Sequence, residues 1–418
     1  MSGPLFIGVD LGTSGARAVI INSAGNVVAK GQQAFQSKTA ARDPKVWWQC
    51  VESALKEALC EIEAGDVTAI CASATSGTVM AVDDDLAPLR DVFMYNDPCP
   101  DEETLKTIRN AAPDWSPAKG ATGGLGCVLT LLAQQPYRVL HQADWINYHL
   151  TDRWVGDGSS ALKSGFDPMD QCWPSWLEKT AFKQERLAET YPVGESFGLI
   201  SRISAQRFGL ADNVKIIAGT TDGCASFLAT GADKRGDGVT VLGTTLTIKL
   251  LSDAPIFSPQ AGVYSHRIGD LWLAGGASNT GGGALLKYFS ADELKTLSEK
   301  IDPSSNSGLD YYPLQGKGER FPVSDPEMEP RETPRPKDDV IFLQGLLEGI
   351  ATIEATAYGK LADLGAPPVG RVFTVGGGTK NLAWTEIRSK ALGVPHEQPL
   401  STDAAYGSAL LARRGAGA

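Results

Sequence analysis

Residues 5–22 read LFIGVDLGTSGARAVIIN. An apolar, β-branched run over 5–9 ends in a carboxylate, Asp10; the turn formers Gly12, Thr13, Ser14 and Gly15 follow, and a second apolar run occupies 18–21. Apolar runs bounded by small polar residues predict strand, tight turn, strand. Asp10 then stands at the mouth of a buried strand, beside glycines that let backbone N–H groups approach an anion closely. A carboxylate next to such a cradle suits magnesium and phosphate. The same residues suit an ordinary hairpin equally well, with Asp10 satisfying turn amides.

Working outward, a turn at 24–26 leads into a third strand over 27–35, so the sheet opens as an antiparallel meander. Asp43 followed by Pro44 is an N-cap with proline at the first helical position. Trp47, Val51, Ala54, Leu55, Ala58 and Ile62 recur at helical spacing and predict helix through Ala64. A strand over 67–74 runs into the polar Thr75-Ser76-Gly77-Thr78. Meander, helix, strand is a ribonuclease-H-like order. Residues 101–207 read as helix and loop, an insertion that walls a pocket, with tryptophans that are foremost packing residues.

A strand over 214–218 enters Gly219-Thr220-Thr221-Asp222-Gly223, and a helix follows. Residues 239–251 then repeat the opening, with a strand, Gly243-Thr244-Thr245 and a second strand. This weak repeat predicts duplicated α/β halves, an N-terminal domain over 1–235 and a C-terminal domain over 236–418. The second half is expected to hold a bend at 275–283, a helix over 284–300, an extended connection at 322–337 and a long helix from Asp338 or Asp339 to Leu364. A buried strand over 371–375 ends in Gly376-Gly377-Gly378-Thr379, a helix covers 381–392, and Thr402 or Asp403 caps the last helix.

The 418 residues carry a formal net charge of -11, with 42% hydrophobic and 21% charged residues. This is a globular composition whose acidity disfavours nucleic acid or an anionic membrane as a partner. Seven scattered cysteines without a C-x-x-C pair read as reduced thiols. The first strand begins almost at once and no apolar run approaches transmembrane length, so a cytoplasmic protein is expected. There is no G-x-x-x-x-G-K-[ST], no G-x-G-x-x-G after the first strand, no metal-ligand spacing among the four histidines and no G-x-S-x-G. Asp222, placed at a strand end before a helix, suits a general base aimed into a cleft; it suits a helix N-cap as well.

Asp10 to Ala18, D-L-G-T-S-G-A-R-A, resembles the first phosphate motif of the sugar-kinase, actin and heat-shock ATPase superfamily, and more narrowly of the FGGY carbohydrate kinases. Residues 219–223 resemble the catalytic-aspartate segment of that family, Gly243-Thr244-Thr245 its second phosphate motif, and 376–381 its adenosine motif, in the family's order. The resemblance implies two ribonuclease-H-like (actin/hexokinase-type) α/β domains with an interdomain ATP and sugar cleft. It makes Asp222 the general base and Asp10 the residue that organises Mg2+. Gly12, Thr13 and Ser14 would meet the phosphates, and Asp10, Thr13, Ser76 and Asp222 the sugar. Gly243, Thr244 and Thr245 would cradle β- or γ-phosphate, and Gly376, Gly377, Gly378 and Asn381 would seat adenosine. Trp384 would flank the adenine or serve as a core residue.

The chain departs from the family at 120–135, which lacks a Lys-x-x-Trp pattern and has Gly126, Cys127 and Thr130 instead. Residues 75–78, 275–283 and 308–313 are similar to a compact subgroup of cyanobacteria and plants whose members are D-ribulose kinases. The resemblance therefore implies ATP-dependent phosphorylation of D-ribulose at C5, with D-xylulose or another polyol as the alternative sugar. A non-catalytic sugar- or nucleotide-binding relative is the other class, disfavoured because a pure binder has little need of Asp222 together with Asp10.

Overall fold

Leu5–Leu11 (β1) is buried along its whole length, as a strand covered on both faces must be. It pairs antiparallel with Gly15–Asn22 (β2), which pairs antiparallel with Val27–Ala34 (β3). Pro44–Leu59 (α1) supplies the crossover that a parallel neighbour needs, and Val67–Ala74 (β4) lies parallel to β1. Asp43 caps α1, its Oδ1 accepting from the Lys45 N–H at 2.9 Å. The helix stops at Leu59 rather than Ala64, because the chain turns through a 3-10 element at Ala64–Asp66, containing Gly65, to reach β4. Ser196–Leu199 (β5) pairs antiparallel with Lys215–Ile217 (β6), which is parallel to β4, giving the order β3-β2-β1-β4-β6-β5. Asp222–Ala229 (α2) follows at once.

The structure, a computed structural model, describes residues 3–89 and 92–418. Two compact units emerge, Met1–Ala229 with His266–Gly269 and Asp403–Ala418, and Thr230–Ser265 with Asp270–Thr402. The changeover thus falls at 229/230, and the last helix returns to the first unit.

The second sheet repeats five strands of the first in the same order and carries its sixth on the opposite edge. Asp237–Leu242 (β7), Leu246–Ser252 (β8), Tyr264–Ile268 (β9) and Leu271–Ser278 (β10) precede the helix Asp339–Asp363 (α3). Arg371–Val375 (β11), Leu382–Leu392 (α4) and His396–Glu397 (β12) complete it, in the order β9-β10-β8-β7-β11-β12 with β11 parallel to β7. The expected bend at 275–283 starts late, since Gly275 and Gly276 still pair with Lys249 and Ile248. The expected helix over 284–300 is broken into Gly282–Leu285 and Ala291–Ser298, because Ser290 caps the second piece and exchanges hydrogen bonds with Glu293. By length and composition α3 would pass for a bilayer-crossing helix, contrary to the expectation of no such run. Its Leu343, Leu346, Leu347, Ile350 and Leu361 are enclosed in the second core, which makes it a core helix. Ala404–Ala416 (α5), capped by Asp403, packs on β1, β4 and α2.

Candidate active site

The C-terminal ends of the parallel strands β1, β4 and β6 converge in the first unit, the place where open α/β sheets bind ligands. Asp10 lies on β1 opposite Arg17 of β2 and beside Ser73 of β4. It is only 4% exposed. Its Oδ1 accepts from the Ser73 hydroxyl at 3.3 Å, and the Arg17 guanidinium stays 3.8 Å from its Oδ2. Ser73 is itself held by the Ser408 hydroxyl of α5 at 2.8 Å. Burial, then the negative field of Asp222, pushes the Asp10 carboxyl up to about 7; Asp403 adds to the rise, while Arg17 and Ser73 oppose it. Asp10 is therefore a buried acid whose charge this chain leaves under-compensated.

Asp222 reaches the same strand ends. The Ala218-Gly219 backbone presses on β4 so closely that a Cβ at Gly219 would lie 1.8 Å from the Ala72 carbonyl oxygen, a position only glycine can hold. Thr221 bridges to Ala74 at the end of β4. The Thr221 carbonyl accepts from the Cys224 and Ala225 amides, so Thr221 takes the cap position and Asp222 is the first helical residue. Its Oδ1 accepts from the Gly223 N–H at 2.7 Å. The N-cap alternative for Asp222 is therefore not the arrangement seen. Near it, the buried hydroxyls of Ser76 and Thr220 have no hydrogen-bond partner among the described residues. Of the turn residues, Gly12 donates to the Gly15 carbonyl at 3.0 Å, and Thr13 and Ser14 are exposed.

In the second unit, Gly243, Thr244 and Thr245 follow β7, and Gly376, Gly377 and Gly378 follow its parallel neighbour β11. Gly376 has φ +97, and a Cβ there would lie 2.5 Å from the Leu242 carbonyl oxygen, so the two loops leave their strands side by side. The Gly243 and Thr244 carbonyls accept from the Gly282 and Gly283 amides, and Thr244 also from Gln315 Nε2 at 2.9 Å. Asn381 caps α4 through the Trp384 N–H and donates to the Ser298 hydroxyl at 2.8 Å. Of the two places open to Trp384, the structure shows the core one. It is buried in the core of this unit, its ring beneath Gly378, because α4 begins after Asn381 and the third helical position points inward.

Four neighbours of these acids were given no site role in the sequence. Arg17 and Ser73 are strand neighbours of Asp10, and the hairpin and β1–β4 registers would have exposed both. Asp403 was read only as a cap, yet its field reaches Asp10. Lys163 belongs to no motif, and its ammonium lies 3.5 Å from the Ser76 carbonyl oxygen. A magnesium ion would suit Asp10, since a dication relieves a nearly enclosed carboxylate in the negative field of two further acids. No group of three or more His, Cys, Asp or Glu side chains could hold a metal among the described residues.

Residues 5–114 match the model of the FGGY family of carbohydrate kinases, N-terminal domain, and residues 238–416 match that of its C-terminal domain. The chain is 23% identical to the xylulose kinase of Escherichia coli (strain K12), covering 93% of this chain and 85% of that protein. It is 22% identical to the gluconokinase of Bacillus subtilis (strain 168), covering 92% and 82%. The crystal structure of gluconate kinase from Lactobacillus acidophilus superposes with a TM-score of 0.84 at 20% identity, covering 100% of this chain and 90% of that one. The last likeness shows a shared fold.

Proposed function

Because the chain belongs to the FGGY family of carbohydrate kinases, we propose that it transfers the γ-phosphoryl group of ATP to D-ribulose, giving D-ribulose 5-phosphate. The observation that carries the chemistry is the pair of acids at the strand ends of the first unit, Asp10 under-compensated and Asp222 beside unpartnered hydroxyls. Asp222 accepts the proton of the C5 hydroxyl as that oxygen bonds to the γ-phosphorus and the bond to the β–γ bridging oxygen breaks, releasing ADP. Ser76 offers its hydroxyl to the sugar, and Thr13, exposed on the turn after β1, would join it. Asp10 would hold Mg2+, which when bound neutralises phosphate charge. Gly243, Thr244 and Thr245 would supply donors to the phosphates; Gly376, Gly377, Gly378 and Asn381 would seat the adenosine, without Trp384.

The charge around Asp10 supports a neutral sugar group there over the carboxylate of an aldonate. Asp10 is acted on by two acids and one base, so a further carboxylate would meet repulsion. The similarity of 75–78, 275–283 and 308–313 to D-ribulose kinases supports the pentulose, although Leu309 and Tyr311 of the last segment pack on Gly345 of α3 and serve the core. D-Xylulose is the second reading, favoured by the xylulose kinase among the relatives. A site that pairs specific hydroxyls separates such epimers by leaving buried partners unmet. An ADP-release assay with D-ribulose, D-xylulose and D-gluconate is expected to give the highest kcat/KM for D-ribulose. A higher value for either competitor overturns the sugar and keeps the kinase. No sugar-stimulated ADP release at all overturns both.

A further inference from the structure

Two loops beside Asp222 are tied to one helix end. His141 and Gln142 stand at the start of the helix Gln142–Thr151. Gln142 Oε1 accepts from the Thr75 amide at 3.1 Å and the Thr75 hydroxyl at 2.6 Å, and the Gln142 amide donates to the Thr78 carbonyl at 3.1 Å. These bonds hold the loop that carries Ser76. His141 Nε2 lies 2.9 Å from the Ser164 Oγ, and its Nδ1 lies 2.9 Å from Asp144 Oδ2. These hold the 3-10 turn Leu162–Ser164, which carries Lys163. Ser164, His141 and Asp144 have the spacing of a nucleophilic triad. All three are buried, Ser164 completely, so the hydroxyl has no approach for a substrate and the relay is a support.

What it supports is Lys163. The side chain runs past Gly77, where a Cβ would lie 3.4 Å from Lys163 Cδ, and its Nζ stands 3.5 Å from the Ser76 carbonyl oxygen. Burial pulls the ammonium below its ordinary pKa, and the field of Asp222 pushes it back up. An ammonium has three donors, and the long contact to Ser76 engages one. Ionised Asp10 and Asp222 only accept hydrogen bonds, and so does a ketose carbonyl, which needs a donor from elsewhere. Resting on the sugar-kinase reading above, we propose that Lys163 binds the sugar, donating to the carbonyl or an adjacent hydroxyl oxygen of a ketose, with Ser164, His141 and Asp144 as its positioning residues.

Lys163→Met keeps the length and removes a charge that burial disfavours, so the variant is expected to fold with an unchanged or higher Tm. Its ketose KM should rise at least about tenfold, as for loss of a charge-assisted hydrogen bond, with the ATP KM held within about twofold. Calorimetric titration of the ketose alone should show the same weakening, and Ser164→Ala a smaller one in the same direction. An unchanged ketose KM and Kd, or sugar and ATP constants rising together with a lowered Tm, would overturn the proposal; so would a variant that fails to fold, which would make Lys163 structural. If the wild type binds the ketose but phosphorylates no sugar, the kinase reading fails, and the calorimetric comparison still decides for or against Lys163.

Discussion

The two sheets share a five-strand order, with the sixth strand on opposite edges, and their central strands end in different chemistry. In the first, the position before the Leu-Gly-Thr turn is Asp10, set between Arg17 and Ser73; in the second it is Val241, set between Thr247 and Val375. The second unit does bury charge, but elsewhere. Arg388 of α4 meets Glu354 of α3 through two bonds of 2.5 and 2.6 Å, and the Thr240 hydroxyl adds a third to Glu354. That pair is matched and holds helices to the sheet. Asp10 is mismatched, with burial and two acids against one distant guanidinium and one hydroxyl. A matched buried charge is a structural device; a mismatched one costs stability and persists where a ligand or reaction uses it.

The sharpest way to break this contrast is at Asp222. Asp222→Asn, which keeps the shape and loses the base, is expected to lower turnover by about 10²- to 10⁴-fold with ATP binding and Tm nearly unchanged. Steady-state kinetics beside calorimetric ATP titration would check it. Near-normal turnover would reduce the acid to a favourable charge at the start of α2.

A smaller effect is expected at Asp10, read as stability. A folded-state pKa raised from 3.8 to about 7 means that the native carboxyl keeps its proton after the unfolded one has lost it. The native state then binds more protons between those values, so stability falls as pH rises through that window and is lowest above about 7. In metal-free, ligand-free protein, Asp10→Asn should remove this fall. The variant's advantage in urea unfolding should be small near pH 4 and grow to as much as about 4 kcal/mol by pH 8. An advantage independent of pH would mean that Asp10 is compensated after all, and the two sheets would differ less than their sequences.

What the sequence disclosed follows the same division. Strands buried on both faces announce themselves as apolar runs, so β1, β4 and β11 were legible almost to the residue, as were the caps Asp43, Asp338 and Asp403. Polar residues at strand ends drew attention to Asp10, Ser76 and Asp222 without disclosing their partners, which depend on register. Lys163 could not be read at all: a short 3-10 turn 87 positions from Ser76 brings it in, and no local pattern records that. For Trp384 the sequence left two places open, for a local reason. Spacing from Asn381 was counted as if both were on the helix, whereas Asn381 is its cap.

The finest test of the comparison uses two neighbouring glycines at the strand end of the second unit. Gly376 has φ +97, with the Leu242 carbonyl oxygen 2.5 Å from where a Cβ would be, whereas a Cβ at Gly377 would meet nothing within 4 Å. Gly376→Ala must therefore strain the loop itself, by about 1–3 kcal/mol, and is expected to lower Tm and raise the ATP KM together. Gly377→Ala leaves the unliganded loop undisturbed, so its Tm should match the wild type. If adenosine is seated against this backbone, the new methyl meets the nucleotide, and the ATP KM should rise by about 3- to 10-fold, on the order of 1 kcal/mol, with the sugar KM unmoved. Thermal melts with ATP and sugar titrations separate the cases. An ATP KM unchanged in Gly377→Ala would leave the glycines at the end of β11 explained by folding alone, and the second sheet would lose its part in holding the nucleotide.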